Sequence, residues 1–377
     1  MWIGAHPGDS SRLPDGQTLA AAIDFEPDDL LGPRVERMFG PRLPYLMKLL
    51  AAAEPLSLQV HPTSERARIG YAEEQAARIP MSAPERRYHD PSHKPELIFA
   101  LTRFEGMAGF RDCHKSAEIL RRLELPWCDE MATRLAASQA PYQTLKALVT
   151  EMLAMSGEAL TERLVELREA AVRAEADSHR ADPRLRPPLT DPASVEREAT
   201  RVFAQTAELT TLYPHDPGVL VTLLLNHVVL AAGDAMFIDA GVLHAYTSGF
   251  GVEVMAASDN VLRAGLTPKH VDVAELLEIT NFTPSPPPLW ASTTSPGSEV
   301  ERFRPPVTEF ALDVGPAAGC EVSDHGPRIV LALEGPVEVA AGDQVEKLGG
   351  GQAVFVAHED GAMTLSGSGR VAVVSVP

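Results

Sequence analysis

The sequence predicts a mainly β chain with an α insertion: two related strand sandwiches and one helical domain. Three observations carry this. A block whose apolar residues recur at three and four spacings, the period of amphipathic helices, lies between strand-like runs. The last quarter of the chain is a series of short strand-like runs at sandwich spacing. Two stretches, LAAGDAMFIDAGVLHAYTSG (230–249) and LGGGQAVFVAHEDGAMTLSG (348–367), align without a gap.

Taken in order, residues 43–111 combine a helix-like stretch, LPYLMKLLAAAEP, with two strand-like runs, LSLQVHP and ELIFALTRF. From Asp112 the texture turns helical through KSAEILRRLE, MATRLAASQ, YQTLKALVTEMLAM and EALTERLVELREAAVRAEA. DSHRADPRLRPPLTDP, rich in proline and charge, reads as an exposed loop, and SVEREATRVFAQTAELTTLY as a last helix. Strand signals return with VLVTLLLNHVVL, AMFIDA, HAYTSG and GVEVMAAS. NFTPSPPPLWASTTSPGS reads as a linker, followed by FALDV, RIVLALEG, VEVAAG, AVFVA, MTLSG and VAVVSV. The expected division is a discontinuous first domain (1–111 and 214–285), a helical insertion (112–213) and a C-terminal domain (286–377).

In the repeat, Gly233 matches Gly351, Phe237 matches Phe355, and Ala362 stands where the first copy has His244. Glycine-turned strands that lead into a histidine suit a cupin-type jelly roll. The first copy is expected to keep a polar site and the second to have lost it.

Composition bounds the chemistry. The 377 residues are 45% hydrophobic and 23% charged, with a formal net charge of −19. Such acidity argues against nucleic acid or an anionic membrane as partner. No apolar run is long enough to span a membrane, and MWIGAHPGDSSRL lacks the regions of a signal peptide. The three cysteines, Cys113, Cys128 and Cys320, fit neither a disulfide framework nor a cysteine zinc site. A cytoplasmic protein is expected, and nothing in the sequence sets an oligomeric state.

In LSLQVHP, Gln59 and His61 share one strand face and Leu58 and Val60 the other. SHKPELIFAL carries Lys94 and Glu96, and GVLHAY carries His244. Two imidazoles, a carboxylate and an amide oxygen can hold Zn²⁺ and leave room for one more ligand. Glutamine adds no charge, so Glu96 alone would offset the ion and leave about +1 on it. Each piece alone also has an ordinary reading: a polar strand face, a surface carboxylate, a core histidine. SDNVLRAGLTPKH sets Arg263 and Lys269 in a loop that, with Lys94, could hold a phosphate or an enediolate. A solvated loop would carry the same two cations. His93 sits beside the candidate site, and the remaining histidines read as structural.

Together LSLQVHP, HKPELIFAL, LHAYTSG and VEVMAASDNVLRAGLTPK, in this order, resemble the type I mannose-6-phosphate isomerases. The resemblance extends to MWIGAHP, GYAEEQAARIPMSAPERRYHDPSHKPE and LLLNHVVLAAGDAMFI, with the helical insertion the loosest part. It implies a catalytic cupin domain interrupted by helices, then a degenerate cupin-like domain, and one Zn²⁺ per chain on Gln59, His61, Glu96 and His244. It implies an active-site arginine at Arg263, with Lys94, Glu253 and Lys269 lining the substrate cleft. The activity implied is interconversion of mannose 6-phosphate and fructose 6-phosphate through an enediol, which serves mannose breakdown in one direction and activated-mannose (GDP-mannose) synthesis in the other. Lys94, Glu253 and His93 are the candidates for proton transfer, and Lys269 for the phosphate, with His93 also at the substrate. Family members carry a further aromatic-containing strand before the stretch matching MWIGAHP, so either the start codon lies further upstream or the first sheet is short of one edge. The rival expectations are an Fe(II) oxygenase on two histidines and a carboxylate, a non-catalytic sugar-binding cupin, and an isomerase of another aldose.

Overall fold

Two strand sandwiches flank no gap but share a core, with a helical block packed on the first. The structure is a computed structural model that describes residues 1–181, 195–295, 297–320 and 325–377. The first sandwich comprises β1 (Trp2–Ile3), β2 (Tyr45–Ala52), β3 (Leu58–Val60), β4 (Glu96–Ala100), β5 (Phe104–Phe110), β6 (Leu225–Leu230), β7 (Ala235–Ile238), β8 (His244–Ala256) and β9 (Leu262–Gly265). One antiparallel sheet runs β1-β2-β8-β4-β7 and the other β9-β3-β8-β5-β6.

β8 belongs to both sheets, so the two strands expected from HAYTSG and GVEVMAAS are one. Its start, from His244 to Ser248, pairs with β3 and β5. From Gly249 it pairs with β2, and from Gly251 with β4 as well. The change of sheet falls at Gly249, with φ +123°. A Cβ there would stand 2.7 Å from the carbonyl oxygen of Arg103. Both the backbone conformation and the space therefore demand glycine. Gly249→Ala is expected to cost about 2–4 kcal/mol, read from urea unfolding; a loss below about 0.5 kcal/mol would show that the bend can relax.

Two segments differ from their expected type. LPYLMKLLAAAEP, rich in helix formers, contains strand β2, whose eight residues pair with β8; tertiary pairing overrides propensity here. VLVTLLLNHVVL is a helical turn, Gly218–Thr222, followed by β6. β4, by contrast, is a continuous apolar run after Glu96 and lies buried between β7 and β8.

The helices Cys113–Arg121, Pro126–Ala136, Pro141–Leu153, Gly157–Ala181 and Val195–Leu212 follow the predicted amphipathic runs. Their core includes Leu58 and Val60, so the apolar side of β3 faces the helical block. Of the loop expected at 177–192, residues 177–181 extend the helix Gly157–Ala181, and the rest lies outside the described residues. No described helix is long and apolar enough to cross a membrane.

The last eight strands are β10 (Glu301–Phe303), β11 (Ala311–Pro316), β12 (Arg328–Glu334), β13 (Val337–Ala341), β14 (Gln344–Leu348), β15 (Ala353–Val356), β16 (Met363–Gly367) and β17 (Arg370–Ser375). β10 and β14 went unread in the sequence. The order β10-β11-β17-β12-β15 repeats β1-β2-β8-β4-β7, and β14-β13-β16 repeats β6-β5 and the start of β8. Among the described residues, nothing corresponds to β3 and β9. Gly367, the match of Gly249, has φ +105° and the same tight approach, here to the carbonyl of Pro336.

Register exposes one more exchange. Glu96 lies opposite Ile238 as Arg328 lies opposite Val356, and Ile238 and Val356 are partners in the repeat. Arg328 is fully buried and donates to the carbonyl oxygens of Gly361, at 2.6 Å, and Ala357. In the second sandwich a side-chain cation thus fills the position where the first gathers acceptors. The sandwiches are joined by a continuous apolar core that includes Leu97, Phe99 and Val254 from one and Phe303, Leu312 and Ile329 from the other.

Candidate metal centre

The two sheets of the first sandwich each send side chains to one point. From β3 come Gln59 and, just past its end, His61; from the start of β8 comes His244, paired with Gln59. Glu96 arrives from β4 in the opposite sheet. His61, Glu96 and His244 are at most 1% exposed, and their ligating atoms lie within 4.8 Å of one another. His61 Nε2 is 3.3 Å from Glu96 Oε1, and His244 Nε2 is 3.4 Å from Glu96 Oε2. The Gln59 carboxamide reaches His244, its Nε2 lying 3.4 Å from the ring Nε2.

The outward nitrogens fix the tautomers. His61 Nδ1 is 2.9 Å from the carbonyl oxygen of Asn260, and His244 Nδ1 is 2.9 Å from that of Val242. A carbonyl only accepts, so each Nδ1 carries a hydrogen and each Nε2 is the nitrogen turned toward the cluster. Burial pushes the His61 pKa down to about 4, against the pull of Glu96, so its ring is neutral at neutral pH. Burial also works against ionisation of Glu96, but Lys94 and the two histidines overcome it and hold the carboxyl well below its usual range. The neutral His61 ring therefore turns a lone pair toward the carboxylate, and His61 Nε2 and Glu96 Oε2 lack a hydrogen-bond partner. Acceptors gathered in a dry pocket repel unless a cation joins them. Separations of this size are what bonds of about 2 Å to one tetrahedral ion produce. The donor set, nitrogen and oxygen without thiolate, suits zinc, and a half-turn of the Gln59 amide would offer it an oxygen.

Around this cluster the charges alternate. Lys94, buried, donates its ammonium hydrogen to Glu96 Oε1. Glu253 on β8 is buried and lies opposite Lys48 on β2, whose Nζ is 3.5 Å from its Oε2. Burial and then the nearby Glu96 raise the Glu253 pKa, with Lys48 and Lys94 opposing. Lys48 escaped the sequence reading because its segment looked helical; alternation in a strand sets it beside the site. Arg263, on β9, is the backbone partner of Gln59. It is half-buried, and among the described residues its guanidinium makes no hydrogen bond or ion pair.

Asn260 was also missed. Fully buried, it accepts at Oδ1 from the backbone N–H of His89 (2.8 Å) and donates from Nδ2 to the carbonyls of Asp90 (2.7 Å) and Ser92 (2.8 Å). Its own carbonyl holds His61. One side chain thereby locks the segment entering Lys94 and Glu96 to the segment entering Arg263. The SDN triplet was its only sequence signal.

Two candidates lie apart from the cluster. His93 is occupied by Glu309, Nε2 to Oε1 2.7 Å. Lys269 is exposed, beyond a turn in which Leu266 takes φ +55° and Asp216 accepts from the Thr267 N–H at 3.3 Å.

Comparison with known proteins places this geometry. A family model described as phosphomannose isomerase type I, catalytic domain, matches residues 1–113. The mannose-6-phosphate isomerase of Escherichia coli (strain K12) is 37% identical over 381 residues, covering 99% of this chain and 90% of that protein. The mannose-6-phosphate isomerase of Homo sapiens is 32% identical over 328 residues, covering 83% of this chain and 71% of that protein. Among solved structures, a zinc-bound mannose 6-phosphate isomerase superposes with a TM-score of 0.79 at 36% identity, covering 100% of this chain and 90% of that one. A single-site mutant of phosphomannose isomerase from Salmonella typhimurium gives a TM-score of 0.83 at 36% identity, with the same coverage.

Proposed function

Because the chain belongs to the type I mannose-6-phosphate isomerases, we propose that it interconverts mannose 6-phosphate and fructose 6-phosphate, with one zinc ion held by Gln59, His61, Glu96 and His244. The observation that carries this reading is the set of mutually facing ligand atoms, His61 Nε2, His244 Nε2 and the Glu96 carboxylate, closed off from solvent. Zinc bound there supplies a Lewis acid that polarises sugar oxygens.

The reaction removes the proton on carbon 2 and returns one to carbon 1, while a hydroxyl proton passes between the oxygens of those carbons. A base poised between its two protonation states serves this best. Glu253 is suited to that role: burial and then Glu96 raise its pKa above the usual carboxylate value, and Lys48 and Lys94 supply compensating charge. It takes the proton from carbon 2 and returns it to carbon 1. Lys94 keeps Glu96 ionised and stands ready to donate to a sugar oxygen. Arg263 offers unoccupied N–H groups to the oxygen that gains charge in the enediolate. Lys269 takes the phosphate, at the solvent side where a charged tail belongs.

The test is isomerase activity on mannose 6-phosphate before and after chelation, with zinc added back. Activity is expected to vanish with the metal and to return with it. Turnover that survives complete metal removal would overturn the reading.

A further inference from the structure

Away from the metal centre, the helical block meets the first sandwich around a cavity of about 190 Å³. Hydrogen-bond donors line it without partners. Arg201, on the helix Val195–Leu212, is 8% exposed, and its Nε and Nη1 are unpartnered among the described residues. The carboxylate nearest in its helix is committed elsewhere: Glu198 accepts from Arg111 Nε at 2.8 Å and from the backbone N–H of His227 at 3.2 Å. Arg103 gives Nε to Glu105 at 2.8 Å and leaves Nη1 buried and unpartnered. Thr247 Oγ1 is in the same condition. The register of β5 on β8 slips here, with Gly106 opposite Tyr246 and Glu105 opposite Ser248. Thr247 is therefore the bulged residue, and bulges re-aim side chains.

The carboxylates around the cavity leave these donors without acceptors. Arg103 is matched by Glu105, and Glu175 faces His179 at 3.6 Å. Glu208 is exposed at the rim. Glu198 and Glu105 offset the Arg201 charge through space, but among the described residues no acceptor reaches its buried Nε and Nη1, a costly state unless something supplies one. A single carboxylate would be saturated by one guanidinium. Here donors converge from a helix, from the loop before β5 and from a bulge on β8, which suits a ligand with oxygens on several sides.

We propose that this cavity binds one small oxyanion of the phosphate class, held by Arg201, Arg103 and Thr247, at a site separate from the metal centre. Occupancy ties the helical block to the strand that begins at His244.

Equilibrium dialysis of the zinc-loaded protein against radiolabelled inorganic phosphate tests this. Wild type is expected to hold one more phosphate per chain than Arg201→Gln, whatever number binds at the catalytic site. Thr247→Val, which keeps the shape and removes the hydroxyl, should bind that phosphate roughly tenfold more weakly. Equal stoichiometry and affinity in all three proteins would overturn the proposal. Should Arg201→Gln fail to fold, Thr247→Val decides alone: unchanged phosphate binding defeats it.

Discussion

Glu96→Gln is expected to abolish zinc retention and with it turnover. The substitution preserves shape and removes one charge from a pocket with almost no access to water. In the wild type the Glu96 carboxylate answers Lys94 directly and sits between the two imidazoles. With glutamine there, a divalent ion and the Lys94 ammonium would share a buried site with only Glu253 to offset them, and burial works against the ionised form of Glu253. Stranding a buried charge in this way costs several kcal/mol, so metal affinity should fall by roughly 100-fold or more. Loss of the Lewis acid removes several kcal/mol from transition-state stabilisation, about three orders of magnitude in kcat/KM. Zinc content by atomic absorption and a coupled fructose 6-phosphate assay report the two effects, and urea unfolding checks that the fold survives. A variant that keeps stoichiometric zinc and turns over within tenfold of wild type would remove Glu96 from the ligand set.

Why Glu96 could be found from sequence, and Arg328 could not, is a matter of what each signal needs. Gln59, His61, Glu96 and His244 sit in long motifs whose residue types already satisfy metal chemistry, and alternation put Gln59 and His61 on one face. The helices at 113–212 were likewise plain, because their apolar spacing is local. Lys48 depended on the state of its segment, and YLMKLLAA has the composition of a helix; only eight backbone pairs to β8 make it a strand. Asn260 acts through contacts with residues 89–92, about 170 positions away in sequence, which no local pattern records. The Glu96 to Arg328 exchange required strand register, since the aligned repeat starts at 230 and 348 and does not reach either residue.

The second sandwich sharpens what a site requires in this fold. It keeps the sheet order and the bend glycine, yet lacks counterparts of β3 and β9 among the described residues. Those two strands bring Gln59, His61 and Arg263. At the position matching Glu96, Arg328 satisfies buried backbone carbonyls with its own charge. A guanidinium so placed satisfies the carbonyls but offers no vacant coordination position.

Arg263→Ala should separate binding of the metal from use of it. Arg263 is the backbone partner of Gln59, close to the ligands without being one, and among the described residues its guanidinium has no hydrogen-bond or ion-pair partner to lose. Burial lowers its pKa from the usual value, but a guanidinium remains charged at neutral pH. Its N–H groups are therefore both desolvated and unoccupied, the condition in which a donor gains most when an oxygen acquires charge. An interaction of that kind grows in the transition state, so its loss should appear mainly in kcat, by about 100- to 1,000-fold, with a smaller change in KM. Zinc content should stay at wild-type stoichiometry, because no ligand has been touched. Arg263→Lys should recover part of the rate, since it restores charge but not the planar fork of donors. Two results would redirect the role: turnover within tenfold of wild type in the alanine variant, or loss of zinc in parallel with activity. The first would assign the enediolate to Lys94 or Lys48, and the second would make Arg263 a support for Gln59.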